Sequence, residues 1–399
     1  MPDTRPFRVA VPEERIAAIK RRVREFAWDD MPVLVEDGDP WSAGASSAFM
    51  RELCDYWVNQ YDWRALEAAI NRFSQVMARI GDQEIHVLHE PGSGPRDAAL
   101  VLTHGWPGSI LEFLGVIDRL AHPERFGGAA ADGIDVVVPA LPGFGFSGRP
   151  AAPVGPRAIA AMWDDLLRRT LGYERYIAQG GDWGSMVSAM AGLDHSLARG
   201  GGCEAIHLNL YASAAADEPA NQAERDFLAR CEPFIRDGRA YAETHRTRPQ
   251  TLAYGMADSP VGAAAWIIDK FHAWSDRRGD GGAERDPRAV FGADTLLGNV
   301  MFYVATGSFG TATWIYRAAA TEIVRVLPAG TRIEVPTGFA SFPRELRPMP
   351  PRRLVDKTYR LVRFSEFERG GHFAALEVPD LFVKDVAAFV RQVRDMRRT

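Results

Sequence analysis

Cysteine is scarce in this chain of 399 residues, which contains only Cys54, Cys203 and Cys231. The three are far apart in the sequence, and no C-x-x-C pair occurs. Disulfide-rich secreted domains and structural zinc sites both need clustered cysteines. The composition therefore argues against a disulfide framework and against a structural zinc site.

Long apolar runs and a strong excess of one charge are also missing. No stretch approaches the roughly 18 apolar residues that a membrane-spanning helix needs, and residues 1–7 lack the apolar centre of a signal peptide. The formal net charge of −5 gives no reason to expect nucleic acid or an anionic membrane as a partner. We therefore expect a cytoplasmic protein without a membrane anchor.

The pattern G-x-S-x-G, which marks a serine nucleophile elbow, does not occur in the sequence. The stretch GGDWGS at residues 180–185 nevertheless has the context of such an elbow, because an apolar strand is predicted before it at 173–179 and a small-residue helix after it at 186–193. The side chain at the elbow is that of Asp182. A carboxylate there can attack carbon and leave an ester that water must cleave, which suits epoxides and carbon–halogen bonds. The non-catalytic interpretation is a helix-capping Asp in a glycine-rich turn.

Strands alternate with helices on both sides of this elbow. The predicted strands lie at residues 75–80, 84–89, 97–103, 134–139, 173–179, 205–210, 331–339 and 359–364, with helices near 110–120 and 157–170 and at the C-terminus. This alternation predicts an α/β fold, a mostly parallel sheet with helices on both faces.

Two segments interrupt or precede the alternation. Residues 213–320 are predicted to form a helical lid inserted over the edge of the sheet, and residues 1–75 an N-terminal helical extension that lies outside the sheet. The predicted organisation is therefore an extension at 1–75, a first part of the core at 76–212, the lid at 213–320 and a second part of the core at 321–399.

Two further stretches follow predicted strands at places where an α/β hydrolase carries its catalytic loops. HGWPGS at residues 104–109 corresponds to the loop that donates one backbone N–H to the oxyanion hole, the second coming from the residue after the nucleophile. The candidates are Trp106 and Trp183. GGHFAA at residues 370–375 places His372 where the base belongs in chain order, and an unperturbed histidine can accept a proton near neutral pH.

The carboxylate that orients this histidine should follow a strand before it. Glu345, within SFPREL at residues 341–346, is the first choice, and Asp356 and Glu366 remain alternatives.

The lid offers side chains that could stabilise a leaving group. A tyrosine hydroxyl can protonate the oxygen of an opening epoxide, and spacing alone does not select a pair among Tyr241, Tyr254, Tyr303 and Tyr316. A dehalogenase would instead bind halide through indole or amide N–H groups, an option that the lid tryptophans leave open: Trp266, Trp274 and Trp314.

Together these motifs resemble the α/β-hydrolase epoxide hydrolases of the microsomal type, a group that includes juvenile hormone epoxide hydrolases. The resemblance covers nearly the whole chain, including an N-terminal region with Trp41, Tyr56-Trp57 and YDWR at residues 61–64. It implies that Asp182 is the nucleophile, His372 the base and Glu345 its acid partner. It also implies that two lid tyrosines assist the reaction: Tyr254 and Tyr316.

The same resemblance implies an activity, the conversion of an epoxide and water to a vicinal diol without metal or organic cofactor. The substrate is expected to be a small-molecule epoxide that is apolar and bulky, and a homodimer is left open. Two departures from the group are Trp183, where some members carry Ile, and the absence of the membrane anchor of the animal enzymes. A haloalkane or haloacid dehalogenase and a non-catalytic ligand-binding protein on this scaffold are the alternatives.

Overall fold

A mixed β-sheet forms the centre of the computed structural model, which describes residues 4–279 and 284–398. Within these residues nine strands lie in the order β1-β2-β3-β5-β4-β6-β7-β10-β11, and β8 pairs with β9 in a separate small sheet. The strands are β1 (Thr4–Pro6), β2 (Gln75–Ile80), β3 (Gln83–Glu90), β4 (Ala99–Thr103), β5 (Asp135–Pro139), β6 (Tyr176–Gly180), β7 (Cys203–Leu208), β8 (Ala214–Ala215), β9 (Val326–Leu327), β10 (Ile333–Ser341) and β11 (Tyr359–Glu366). Neighbouring strands in the first part of this order, β1-β2-β3-β5, are antiparallel. Neighbouring strands in the second part, β5-β4-β6-β7-β10-β11, are parallel. The predicted α/β fold is confirmed.

The first strand corrects one prediction. The sequence predicts that the N-terminal extension lies outside the sheet, but β1 pairs antiparallel with β2, with Arg5 opposite Met77. A three-residue edge strand is too short to show the alternation of polar and apolar residues that marks longer strands. The extension is helical as predicted and contains three helices: α1 (Glu13–Arg24), α2 (Ser47–Asn59) and α3 (Trp63–Asn71).

The core helices flank the parallel strands. They are α4 (Ile117–Ala121), α5 (Pro156–Asp165) and α6 (Asp182–Asp194), and after the lid α15 (Arg352–Thr358), α16 (Ala374–Glu377) and α17 (Pro379–Met396). The helix predicted at 110–120 is instead a short 3₁₀ turn, Ile110–Phe113, followed by α4. The Ser109 hydroxyl accepts the Leu111 N–H at the start of that turn, and Gly115, a poor helix former, lies between the two pieces.

Helices dominate the segment predicted as the lid. They are α7 (Gln222–Arg236), α8 (Ala240–Thr247), α9 (Pro249–Asp258), α10 (Pro260–Ala273), α11 (Pro287–Phe291), α12 (Ala293–Thr306), α13 (Phe309–Ala312) and α14 (Trp314–Ala319). Three of them begin with proline, whose missing N–H and fixed φ suit the first helical position: α9, α10 and α11. No helix in the described residues is long and apolar enough to cross a membrane.

The register of the parallel strands brings several loops together. Thr103 at the end of β4 lies opposite Gly180 at the end of β6, which in turn lies opposite Leu208 at the end of β7. β4, β5 and β6 are buried along their whole length, as expected for central parallel strands. The loops that follow β4 and β6 therefore meet at one edge of a rigid sheet.

Candidate active site

The turn between β6 and α6 holds Asp182 in a strained conformation. Its φ is 47°, in the left-handed region that residues other than glycine rarely adopt. A Cβ atom on Gly184 would lie 1.9 Å from the carbonyl oxygen of Thr103, so the turn presses directly against the end of β4. Glycine is thus required in GGDWGS because the turn lies so close to the end of β4. The carboxylate of Asp182 projects from this edge of the sheet.

The loop after β4 contacts one oxygen of this carboxylate. The backbone N–H of Trp106 donates to Asp182 Oδ1 at 2.8 Å. A Cβ atom on Gly105 would lie 2.1 Å from the same oxygen, so only glycine fits beside it. The N–H of Trp183 lies in the first turn of α6, where backbone N–H groups have no acceptor within the helix. These are the two backbone donors predicted from the sequence.

The loop after β11 brings His372 to the other oxygen. His372 Nε2 lies 3.5 Å from Asp182 Oδ2, and Nδ1 lies 2.5 Å from Glu345 Oε1. Glu345 follows β10, and its Oε1 also accepts the Leu346 N–H at 2.7 Å. The other acids considered from sequence do not join this group, because Asp356 is half exposed beside Arg332 and Glu366 is exposed.

The pKa of His372 reflects its two carboxylate neighbours. Burial lowers this pKa, but the charges of Glu345 and Asp182 and the hydrogen bonds to them outweigh burial, so the pKa is raised well above its ordinary value. In the resting site the imidazole therefore carries a proton at neutral pH.

The lid holds the histidine loop by its backbone. Trp274 follows α10, and its carbonyl oxygen accepts the His372 N–H at 2.9 Å. Glu377 accepts the Phe373 N–H at 2.8 Å and the Asp276 N–H at 2.6 Å, which links the two segments a second time. The position of the base thus depends on the lid as well as on the sheet.

Two buried tyrosines of the lid lie over the Asp182 carboxylate. Tyr316, on α14, and Tyr241, on α8, line the same cavity as Asp182. The Tyr316 ring packs against Trp183, with centroids 4.6 Å apart, and the Tyr241 ring stacks on Trp106 at 5.2 Å. The Tyr316 hydroxyl is buried without a hydrogen-bond partner among the described residues.

Both phenols stay protonated. Burial, and after it the neighbouring Tyr241 hydroxyl and the charge of Asp182, raises the pKa of Tyr316 well above its ordinary value. Burial and the nearby Asp182 charge raise the pKa of Tyr241 in the same direction. Each hydroxyl is therefore available as a proton donor.

The structure does not bring Tyr254 to this group. The Tyr254 side chain lies on α9 and is 73% exposed, so it faces solvent and does not line the cavity that contains Asp182. Tyr303 is also engaged elsewhere, because its hydroxyl donates to the carbonyl oxygen of Gly108 at 2.5 Å. Of the predicted pair, Tyr316 lines the cavity and Tyr254 does not; Tyr241 lies beside Tyr316 instead, since α8 and α14 pack against each other.

Two neighbouring residues were not identified from the sequence. His245 packs against Trp106 and Tyr316, with ring centroids at 4.6 and 4.8 Å, and its Nε2 accepts the indole N–H of Trp266 at 3.0 Å. Burial raises the pKa of Glu112 to about 8, although the His372 charge opposes the shift, so this carboxyl is mostly protonated at pH 7. Neither residue belongs to a recognisable motif. Segments that are distant from Asp182 in the sequence bring them close to the site.

Among residues 4–279 and 284–398, no group of three or more His, Cys, Asp or Glu side chains is arranged to hold a metal ion.

Comparisons with known proteins agree on one family. Residues 4–113 match the family described as epoxide hydrolase N terminus, and residues 98–206 match the alpha/beta hydrolase fold family. A protein of Stigmatella aurantiaca (strain DW4/3-1) assigned as an epoxide hydrolase is 38% identical over 395 residues, which cover 98% of this chain and 85% of that protein. Epoxide hydrolase 1 of Sus scrofa is 30% identical over 417 residues, with 97% and 88% covered.

A solved structure supports the same assignment. The epoxide hydrolase of Aspergillus niger superposes with a TM-score of 0.81 and 33% identity, covering 97% of this chain and 96% of that one. These similarities extend over nearly the whole chain, including the extension, the lid and the loops that carry Asp182 and His372. The chain belongs to the epoxide hydrolases of the α/β-hydrolase fold.

Proposed function

We propose that the chain hydrolyses epoxides to vicinal diols through an ester on Asp182. The observation that carries this proposal is the unequal environment of the two carboxylate oxygens. Oδ1 accepts the backbone N–H of Trp106, whereas Oδ2 faces His372 Nε2 at 3.5 Å. An oxygen already bound to an oxyanion donor is suited to remain the ester carbonyl, which leaves Oδ2 as the nucleophile.

The first step forms the ester. Asp182 Oδ2 attacks the less hindered epoxide carbon and the carbon–oxygen bond of the ring breaks. The departing alkoxide takes a proton from Tyr241 or Tyr316, and the resulting tyrosinate recovers a proton from the His372 imidazolium. Alkylation removes the negative charge of Asp182, one of the two charges that raise the pKa of His372. The histidine therefore gives up its proton at this stage and becomes able to act as a base.

The second step cleaves the ester. His372, oriented by Glu345, takes a proton from water, and the hydroxide attacks the Asp182 carbonyl carbon. Negative charge develops on Oδ1, where the Trp106 and Trp183 N–H groups stabilise it by roughly 3 kcal/mol each. When the intermediate collapses, the bond between the carbonyl carbon and Oδ2 breaks, and the diol leaves with Oδ2 and the remaining proton. The carboxylate and the imidazolium are restored.

The route taken by oxygen tests this mechanism. With enzyme in excess over styrene oxide in water enriched in ¹⁸O, the first turnover should give diol with ordinary oxygen, and the protein should gain one ¹⁸O at Asp182. Mass spectrometry of the diol and of the peptide containing Asp182 measures both. Diol that carries only solvent oxygen would refute the covalent route. The variant Asp182→Ala serves as control and should give no diol.

One of the three lid tryptophans considered for halide binding gives the dehalogenase alternative no support. The indole N–H of Trp266 is already bonded to His245 Nε2 at 3.0 Å, which leaves it unsuited to bind halide. Measurement of chloride released from chloroalkanes under the same conditions tests that alternative directly. The cytoplasmic location and the homodimer remain predictions from the sequence.

A further inference from the structure

Three arginines line the cavity that contains Asp182. They come from distant parts of the chain: Arg239 precedes α8, Arg325 precedes β9, and Arg347 follows β10 beyond Glu345. The Arg325 guanidinium lies 5.1 Å from the centre of the ring of Trp183, the residue that follows Asp182 in the chain.

These guanidinium groups have few acidic partners. Among the residues that the structure describes, neither Arg325 nor Arg347 forms an ion pair with a carboxylate, and the Arg347 side chain donates only to the carbonyl oxygen of Tyr211, at 3.2 Å. Arg239 contacts Glu243 at 3.4 Å, but the same Glu243 carboxylate binds Arg246 more closely, at 2.7 Å. Positive charge is therefore in excess on this side of the cavity.

The arginines also affect one another. Burial lowers the pKa of Arg325 and the charge of Arg239 lowers it further, and burial followed by the charge of Arg325 does the same for Arg347. Packing alone does not favour such a cluster, because desolvated like charges are unfavourable and the charges of Asp182 and Glu345 offset the effect only in part. A cluster of this kind is suited to bind an anion.

The remainder of the wall is apolar. Met186, Leu210 and Phe234 line the same cavity as the arginines and the catalytic side chains. The cavity volume is only about 40 Å³, so the side chains that line it must move when a substrate binds.

We propose that the substrate is an epoxide that carries a carboxylate, with its carboxylate bound by Arg325 and Arg347 and its epoxide ring held between Asp182 and the two tyrosines. This inference rests on the proposed function and replaces the apolar substrate expected from the sequence with an epoxy acid that has a hydrocarbon spacer. A carboxylate matches the planar fork of a guanidinium. A phosphate dianion would bring twice the charge close to Asp182 and oppose its attack.

The test compares matched acids and amides. Terminal epoxyalkanoates of increasing chain length and the corresponding primary amides differ only in the charged end. At the best chain length the wild-type enzyme should prefer the acid by roughly 10- to 100-fold in kcat/KM, the range expected for a charge-assisted hydrogen-bonded pair. Arg325→Met and Arg347→Met should each bring the ratio of acid to amide close to one, and Arg325→Lys should retain part of the preference. Arg236→Met removes an exposed lid arginine that is paired with Asp237 and should leave the ratio unchanged.

A binding measurement separates this inference from the proposed function. Calorimetric titration with a saturated alkanoate of the best length, and with its amide, requires no turnover. Binding can therefore be measured for any variant that folds, including an inactive one. Tighter binding of the acid that is lost in Arg347→Met supports the inference. Equal turnover of acid and amide together with equal binding overturns it while leaving epoxide hydrolysis intact. Failure to hydrolyse any epoxide, neutral or acidic, refutes the proposed function instead.

Discussion

The two oxygens of Asp182 illustrate how much the backbone contributes to a single catalytic residue. A backbone N–H engages Oδ1, while Oδ2 faces the imidazole of His372. The positive φ of Asp182 is the conformation in which its side chain reaches both groups. A serine at this position would present one oxygen, whereas a carboxylate presents one for the oxyanion donors and one for attack.

Replacement of Glu345 by Gln should change the pH dependence of ester hydrolysis. The charge of Glu345 raises the pKa of His372, and hydrolysis needs the neutral imidazole. Ester decay should therefore slow as the pH falls through the His372 pKa of the alkylated enzyme. In Glu345→Gln the midpoint should move to lower pH, and the plateau rate should fall on the order of 10²- to 10⁴-fold because the ring loses its orienting partner.

Stopped-flow single turnovers at several pH values measure this effect. A midpoint that stays in place in Glu345→Gln would show that the carboxylate does not control the His372 pKa.

The choice of tyrosines predicts a distinct mutational pattern. Tyr241→Phe and Tyr316→Phe should each slow ester formation by roughly 10- to 100-fold, since one of two proton donors is lost. Tyr254→Phe is the matched control and should stay within about twofold of the wild type, because that side chain is 73% exposed. Rapid-quench measurement of the ester with styrene oxide distinguishes these variants. A defect in Tyr254→Phe as large as that in Tyr241→Phe would contradict the assignment.

At the scale of elements, the site depends on how closely the loop after β4 approaches the turn before α6. Gly105→Ala would place a Cβ atom 2.1 Å from Asp182 Oδ1, so either the loop or the nucleophile must move. We expect kcat for styrene oxide to fall by at least about 100-fold, since such displacements disturb the attack geometry. Gly115→Ala is a suitable control, because a Cβ there meets nothing within 4 Å. Unchanged kcat in a folded Gly105→Ala variant would contradict this account of the loop.

The elements also show what local sequence patterns reveal. The strand–turn–helix around Asp182 and the loops at residues 104–109 and 370–375 could be predicted, because each comes after a strand and the parallel register places the strand ends at one edge of the sheet. The lid tyrosines could not be selected in the same way. Their positions depend on how α8, α9 and α14 pack on one another. Four lid helices each carry one tyrosine, namely α8, α9, α12 and α14, and the local sequence does not distinguish among them.

At the scale of the whole molecule, the N-terminal segment is part of the same core as the lid. α2 packs against α10 and α12, and Trp57 on α2 is fully buried. Trp57→Ala should therefore lower the free energy of unfolding by about 3–5 kcal/mol. Unfolding in urea, followed by circular dichroism, should show this loss in one cooperative transition.

Leu34→Ala provides the comparison for that variant. Leu34 is 61% exposed in the same segment, and its truncation should change the free energy of unfolding by less than about 0.5 kcal/mol. Equal stabilities of Trp57→Ala and the wild type would show that the segment is not integrated into the core.

The class of fold, the nucleophile elbow and the places of Asp182 and His372 could be inferred from the chain alone, because strand ends and glycine turns are encoded by residues adjacent in the chain. The same local patterns left Glu345 as the first of three candidate acids. The remaining features depend on tertiary packing. It places Tyr241 and not Tyr254 in the wall of the cavity, adds β1 to the sheet and brings three arginines into the same cavity as Asp182. These features arise from contacts between residues far apart in sequence, and helix packing, which no local pattern encodes, decides which side chains meet.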